Sequence, residues 1–121
     1  MPHLNIEYSA NLVGAFDVPT ALRRINDVVL ATGLFEPAQV KSRAIMLEHF
    51  RIGNADEGEA MVHARIHVVA GRALEIRQAL AKSVVATLQL ALGPVPGLIV
   101  QVTAEVNEMD ETVYSKVVIV P

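Results

Sequence analysis

The sequence predicts an α+β fold in which two β–α–β units form a four-stranded mixed sheet, with both helices on one face and an extra C-terminal strand. Runs of alternating apolar and polar residues flank two segments with helical spacing. The order strand, helix, strand occurs twice, and the halves match at an offset of about sixty residues, giving pseudo-repeats over about 1–58 and 59–110. Because β–α–β crossovers are right-handed, both helices are expected on the same side of the sheet.

The first unit begins almost at the amino terminus. Alternation there predicts a short strand with the apolar residues Leu4, Ile6 and Tyr8. Asp17 is a suitable N-cap for the helix that follows, Pro19 is tolerated in its first turn, and Gly33 is a suitable stop. A second strand is predicted over 40–52.

The second unit contains the clearest strand pattern in the chain, over 60–70, where Ala, Val and Ile alternate with larger or polar residues. Gly71 ends this strand, and a helix is predicted over 72–92. Another alternating strand is predicted over 98–107. The Val- and Ile-rich composition of 113–120 predicts the extra strand at the C-terminus.

Composition restricts the class of protein. The 121 residues suit one domain, 1–121, and the absence of Cys excludes disulfides, a thiol nucleophile and Cys-ligated metals. Ten basic and 13 acidic residues argue against a nucleic-acid or membrane-surface partner. Apolar residues make up 52% of the chain, and the alternating Ala and Val residues of the sheet are expected to need cover on its helix-free face. We therefore expect an oligomer.

The predicted location is the cytoplasm. The uncharged run 83–104 has the length of a membrane span, but the Gly- and Pro-rich stretch 93–97 interrupts it at the centre. The amino-terminal residues have neither the basic region nor the apolar core of a signal peptide. These observations predict no contact with a membrane.

Common catalytic motifs are absent, so the candidates are few. His63 and His67 are four residues apart in a strand, about 13 Å along the chain, so they cannot hold one metal ion. No metal site and no cofactor are predicted. Removal of Met1 would leave Pro2 as a free secondary amine, and a terminal amine with an ordinary pKa of about 7.7–8.0 can act as a general base once desolvation lowers that pKa.

Three cations are candidates for binding a carboxylate. Arg72 lies at the predicted start of the second helix, where backbone N–H groups favour anions and its own side chain can hold a carboxylate with two hydrogen bonds. Lys41 and Arg43 lie on one face of a predicted strand. Taken singly, each of the three is more simply explained as a solvated surface residue.

Several segments in combination resemble the tautomerase superfamily and, within it, the 5-carboxymethyl-2-hydroxymuconate isomerase family. The resemblance covers nearly the whole chain and is weakest from about Gly93 onward. The segments that carry it, besides the two β–α–β units, are Met1-Pro2-His3, Ala31-Thr32-Gly33-Leu34-Phe35, Lys41-Ser42-Arg43 and Gly71-Arg72-Ala73-Leu74-Glu75-Ile76-Arg77-Gln78.

The resemblance implies a cofactor-free homotrimer that moves a proton between carbons of a small carboxylated, muconate-like substrate in the breakdown of aromatic compounds. It implies that Pro2 is the base and then the acid, and that Arg72 binds a substrate carboxylate or stabilises the enolate. Lys41 stands where the family usually has a second arginine, which keeps the charge but loses the planar fork. Arg43 matches a neighbouring family arginine and could compensate.

Three further interpretations stay open at this point, and the simplest of them is an oligomeric scaffold with no ligand. The tautomerase scaffold could also tautomerise an arylpyruvate or hydrolytically dehalogenate a small unsaturated acid. Alternatively, the chain could be a non-catalytic oligomeric domain that binds carboxylates through Arg72 and Arg43. A chain that keeps Met1 has an amide at Pro2, which favours the binding domain.

Overall fold

The computed structural model describes all 121 residues, Met1–Pro121. Its strands are β1 (His3–Ser9), β2 (Lys41–Leu47), β3 (Glu59–Val69) and β4 (Ile99–Met109). Its two α-helices are α1 (Val18–Leu30) and α2 (Leu74–Leu90). Single turns of 3₁₀ helix occupy Ala10–Leu12, Pro37–Gln39 and Glu111–Val113. No helix combines the length and the apolar character that crossing a membrane requires.

The strands form one mixed sheet in the order β2-β1-β3-β4. β1 and β2 are parallel, β3 and β4 are parallel, and β1 is antiparallel to β3. The two helices contact each other and pack on the sheet, over a buried core that includes Leu4 and Ile66, which are register partners. The predicted four-stranded mixed sheet with two helices is therefore confirmed.

Helix α1 begins where the sequence places its cap. The Asp17 carboxylate accepts hydrogen bonds from the Thr20 backbone N–H at 3.2 Å and from the Thr20 hydroxyl at 2.8 Å. These bonds hold the pKa of Asp17 below its ordinary value, because they stabilise the charged carboxylate. After the helix, Gly33 adopts a φ of 73°, and its N–H donates to the Leu30 carbonyl at 3.0 Å, which ends the helix as predicted.

Helix α2 starts at Leu74, two residues later than predicted. Gly71 takes a φ of 109°, a conformation that residues with a side chain rarely adopt, so the chain turns sharply after β3. The Gly71 N–H donates to a Glu108 carboxylate oxygen at 3.0 Å, which holds this turn against β4. Arg72 consequently lies in the turn before the helix rather than in its first turn.

Strand β2 ends at Leu47, although the sequence pattern predicted a strand as far as residue 52. Ser9 of β1 pairs with Leu47, and the chain of β1 then turns into the 3₁₀ turn Ala10–Leu12. The residues after Leu47 have no neighbouring strand to pair with, because β2 is an edge strand and β1 is its one neighbour. Alternation alone could not show where the partner strand stops.

The predicted C-terminal strand over 113–120 is wrong. Asp110 caps the 3₁₀ turn Glu111–Val113 by accepting a hydrogen bond from the Thr112 N–H at 2.9 Å, and the chain beyond it is irregular. The β-branched composition favours a strand, but a strand also needs a partner, and the tail pairs with none in this chain. Four apolar tail residues are left mostly exposed: Val117, Val118, Ile119 and Val120.

The helix-free face of the sheet is polar at its centre, although its edge strands expose Ile45 and Ile99. This corrects the expectation that Ala and Val needed cover there. Those small apolar residues lie under the helices, as the complete burial of Ala60, Val62 and Ala64 shows. The opposite face carries charged side chains. Arg65, for example, contacts Glu7 at 2.8 Å and Glu105 at 3.2 Å.

Candidate active site

A cavity of about 390 Å³ lies beside the amino terminus, between the turn after β3 and the start of the C-terminal tail. Its wall combines apolar side chains with two cations, one carboxylate and one phenol. The lining residues are Met1, Leu34, Phe35, Gln39, Val69, Arg72, Glu111, Tyr114 and Lys116. The structure therefore places the amino terminus and Arg72, two of the features that the sequence singled out, at one cavity.

The amino terminus is held at the cavity by the sheet. The backbone N–H of Lys41 donates to the Pro2 carbonyl at 3.2 Å, which extends the parallel pairing of β1 with β2. Met1 is 8% exposed, and Pro2 is fully buried. Burial lowers the pKa of the Met1 amino group, and the positive charges of Lys41 and Lys116 lower that pKa further.

Arg72 has the features of an anion-binding residue. Its guanidinium carbon lies 4.6 Å from the centroid of the Phe35 ring, a cation–π contact that orients the planar group in the cavity wall. Its Nε atom is buried without a hydrogen-bond partner. A buried N–H without a partner is costly, so a ligand oxygen that accepts from Arg72 would stabilise the site.

The backbone around Arg72 is anchored by a second arginine. The Arg77 Nε–H donates to the Arg72 carbonyl at 3.2 Å, and Arg77 also contacts the Glu108 carboxylate at 3.2 Å. The other oxygen of Glu108 accepts from the Gly71 N–H. Glu108 on β4 and Arg77 on α2 therefore fix the turn that carries Arg72.

The two other predicted cations lie outside the cavity wall. Lys41 is half-buried near the amino terminus, and its Nζ donates to the Gln39 carbonyl at 3.3 Å. Arg43 lies on the polar sheet face, where it donates to the Asn5 side chain and lies 2.7 Å from the His3 Nδ1. Their roles in binding substrate stay predictions.

Two wall residues, Tyr114 and Lys116, were not singled out by the sequence. Both belong to the tail, which folds back over the cavity instead of forming the predicted strand. The Tyr114 hydroxyl lies 3.0 Å from the His3 Nε2, and this contact ties the tail to β1. No local sequence pattern indicates where an irregular tail returns to the fold.

His63 and His67 do not line this cavity. His63 lies between Thr103 and Glu105, at 2.6 Å and 3.2 Å from their side-chain oxygens. His67 faces the same side of β3 and pairs in register with His3. No group of three His, Asp or Glu side chains in the structure is arranged to hold a metal ion.

The sequence matches a family model described as 5-carboxymethyl-2-hydroxymuconate isomerase over residues 2–118. The chain belongs to this family. The family that the sequence segments resembled is thereby confirmed. A 5-carboxymethyl-2-hydroxymuconate Delta-isomerase from Escherichia coli is 33% identical over 78 residues, which cover 64% of this chain and 62% of that protein. The match thus spans less than two thirds of the relative's length.

Solved structures agree with the family and with the fold. A crystal structure of a 5-carboxymethyl-2-hydroxymuconate isomerase from Deinococcus radiodurans R1 has a TM-score of 0.79 at 27% identity, over 95% of this chain and 87% of that one. A fused 4-OT wild-type symmetric trimer has a TM-score of 0.73 at 19% identity, over 91% of this chain and 87% of that one. The second likeness concerns the fold alone.

Proposed function

We propose that this member of the isomerase family is a cofactor-free enzyme that transfers a proton from the enol oxygen to a carbon of 5-carboxymethyl-2-hydroxymuconate or a closely related carboxylated dienol. The observation that carries the proposal is the position of the amino terminus, which lies with a lowered pKa in the same cavity as Arg72. A lowered pKa raises the neutral fraction of the amine, which can then take a proton from the substrate, and a cation beside it can bind the substrate carboxylate.

The base is the Pro2 nitrogen after removal of Met1. With Met1 attached, that nitrogen is an amide and cannot accept a proton, and the Met1 side chain occupies part of the cavity wall. We expect removal of Met1 to free the space that this residue fills in the wall and to open the buried Pro2 nitrogen to the cavity. Burial and the charges of Lys41 and Lys116 lower the pKa of the Met1 amino group, and we expect the same influences on a Pro2 amine one residue further along β1. Each of these influences favours the neutral, proton-accepting form.

The same amine can carry the proton in both steps of the reaction. The neutral Pro2 amine removes the hydroxyl proton of the bound dienol, and the electrons of the O–H bond move into the conjugated chain. The resulting ammonium delivers a proton to a carbon at the far end of that chain, which leaves an unsaturated keto acid. Apolar wall residues such as Phe35 and Val69 limit the access of water to the amine. Arg72 binds one carboxylate through its planar fork, and Lys116 is positioned for a second carboxylate across the cavity.

A homotrimer is part of the proposal. The exposed apolar tail, with Val117, Val118 and Ile119, supports burial against another copy, because isolated chains rarely leave such a run in water. A structural neighbour is a symmetric trimer by its own description. Location in the cytoplasm and a role in aromatic compound breakdown stay predictions from the sequence.

The proposal is tested by following ultraviolet absorbance while the processed protein acts on a panel of enol acids. Turnover of 5-carboxymethyl-2-hydroxymuconate well above that of phenylenolpyruvate or 3-chloroacrylate is expected, because the wall offers two cations for two carboxylates. A preference for either of the other acids would favour the arylpyruvate or dehalogenase alternative. Retention of Met1 in native material, with binding but no turnover, would favour the carboxylate-binding domain.

A further inference from the structure

A chain of hydrogen bonds links the polar sheet face to the cavity. Arg43 Nη2 lies 2.7 Å from His3 Nδ1, and His3 Nε2 lies 3.0 Å from the hydroxyl oxygen of Tyr114. Tyr114 belongs to the cavity wall, whereas Arg43 does not. The network therefore joins a charged residue outside the cavity to a phenol at its edge.

Arg43 sets the direction of these bonds. A guanidinium has only donors, so the Nδ1 of His3 must be the acceptor. Burial lowers the pKa of His3, and the nearby charges of Arg43 and Lys41 lower that pKa further, so the neutral imidazole is favoured. A neutral imidazole with a bare Nδ1 carries its proton on Nε2, and that N–H donates to the Tyr114 oxygen.

The hydroxyl proton of Tyr114 is therefore available to a ligand. Its oxygen accepts from His3, and the hydroxyl has no second partner within the chain. The cations of the wall, Arg72 and Lys116, suit carboxylates. A phenol is a neutral donor, which suits a keto or enol oxygen whose negative charge develops during the reaction.

We propose that Tyr114 donates a hydrogen bond to the enol oxygen of the substrate, and that His3 and Arg43 are positioning residues that keep its hydroxyl proton directed away from the imidazole. This inference rests on the proposed function, because it names the residue that stabilises the enol oxygen while Pro2 transfers the proton. The bond strengthens as charge grows on that oxygen, so its loss should lower kcat more than it raises KM.

A binding experiment tests the contact without any turnover. The probes are adipate and 2-hydroxyadipate, two dicarboxylates that differ by one oxygen, and calorimetry measures both dissociation constants. The wild-type protein is expected to bind 2-hydroxyadipate roughly 3- to 10-fold more tightly, and Tyr114→Phe is expected to bind the two equally. Phenylalanine keeps the ring that packs edge-on against His3 at a centroid distance of 6.0 Å, so the fold should persist.

Kinetics on the same variants tests the positioning roles. Tyr114→Phe should lower kcat on 5-carboxymethyl-2-hydroxymuconate by about 10- to 100-fold. His3→Gln, whose amide can still donate toward Tyr114, should keep more activity than His3→Asn. His3→Asn should cause no further loss of kcat when Tyr114 is already Phe, because the two act through one bond.

The inference would be overturned if Tyr114→Phe still bound 2-hydroxyadipate more tightly than adipate. It would also be overturned if the wild-type protein bound the two acids equally. Equal kcat for the Gln and Asn variants of His3 would overturn the positioning role. A wild-type protein that shows the Tyr114-dependent preference but no turnover would contradict the proposed function alone, and the assignment of Tyr114 as the oxygen donor would stand.

Discussion

Met1 and Arg72 line the same cavity, although they belong to different β–α–β units of the chain. The antiparallel pairing of β1 with β3 creates this relationship, because it brings the start of β1 next to the end of β3. The turn at Gly71 then directs Arg72 back toward the amino terminus. An amine and a cation are thereby combined at one site by the topology of the sheet.

Replacement of Arg72 should impair the reaction more than replacement of Lys41. Arg72→Ala removes a cavity cation with an unpartnered Nε–H, so we expect a loss of roughly 2–4 kcal/mol in kcat/KM. Lys41→Ala should act mainly through KM, since Lys41 lies outside the wall. Arg72→Lys is the matched control, which keeps the charge and should recover part of the loss. Steady-state kinetics measures the effect. A wild-type kcat/KM for Arg72→Ala would show that Arg72 does not act at the site.

The charge of Lys116 should set part of the pH dependence. An amine can accept a proton only in its neutral form, which predominates above its pKa, and the charge of Lys116 lowers the pKa of the Met1 amino group. Lys116→Met removes one lowering influence, so the acidic limb of kcat/KM against pH should move to higher pH. The control is Lys82→Met on the exposed surface of α2, which should leave the limb in place. A limb that stays in place in Lys116→Met would contradict the electrostatic role of Lys116.

Two leucines of α2 give a matched test of the core. Leu88 is fully buried, whereas Leu90 is 74% exposed in the same helix. Leu88→Ala should lower the free energy of unfolding by about 2–5 kcal/mol, since it removes buried contacts and leaves a cavity. Leu90→Ala should change it by no more than about 0.5 kcal/mol. Urea denaturation measures the free energy of unfolding of both variants. Comparable losses in that free energy would show that Leu90 is covered by another copy of the chain.

The apolar tail should be needed for assembly. Light scattering of the full chain should give a mass of about 39 kDa, three times the 13.1 kDa of one chain. Deletion of 117–121 removes the exposed run Val117–Val120 and should shift the mass toward the monomer at micromolar concentration. A full-length chain that stays near 13 kDa would contradict the homotrimer. A truncated chain that keeps the full mass would exclude the tail from the interface.

The alternation of apolar and polar residues was sufficient to predict an element where one of its faces is buried within this chain. The strand predicted over 60–70 is observed as Glu59–Val69, because burial of alternate residues such as Val62 and Ile66 leaves no freedom in the register. The cap at Asp17 likewise marked the start of α1. The prediction of a C-terminal strand was wrong for the converse reason. Residues 113–120 have strand composition but no partner in the chain.

The sequence predicted only those site residues that their own chemistry or the family resemblance indicated. Pro2 and Arg72 were singled out by their chemistry, and the structure places the amino terminus and Arg72 at one cavity. Tyr114 and Lys116 could not be found, because a tail without periodicity does not reveal which part of the fold it contacts. The placement of Arg43 beside His3 depended on the parallel register of β1 with β2, which the sequence alone leaves open.

The most direct test of the account concerns the nitrogen of Pro2. Two forms of the protein are compared after their intact masses are verified: one that begins with Pro2, and one with a single Ala inserted before Pro2, so that its nitrogen is an amide. The form that begins with Pro2 should convert 5-carboxymethyl-2-hydroxymuconate, and the Ala form should be slower by about 10²–10⁴-fold or more. Equal kcat/KM for the two forms would show that the Pro2 amine is not the base.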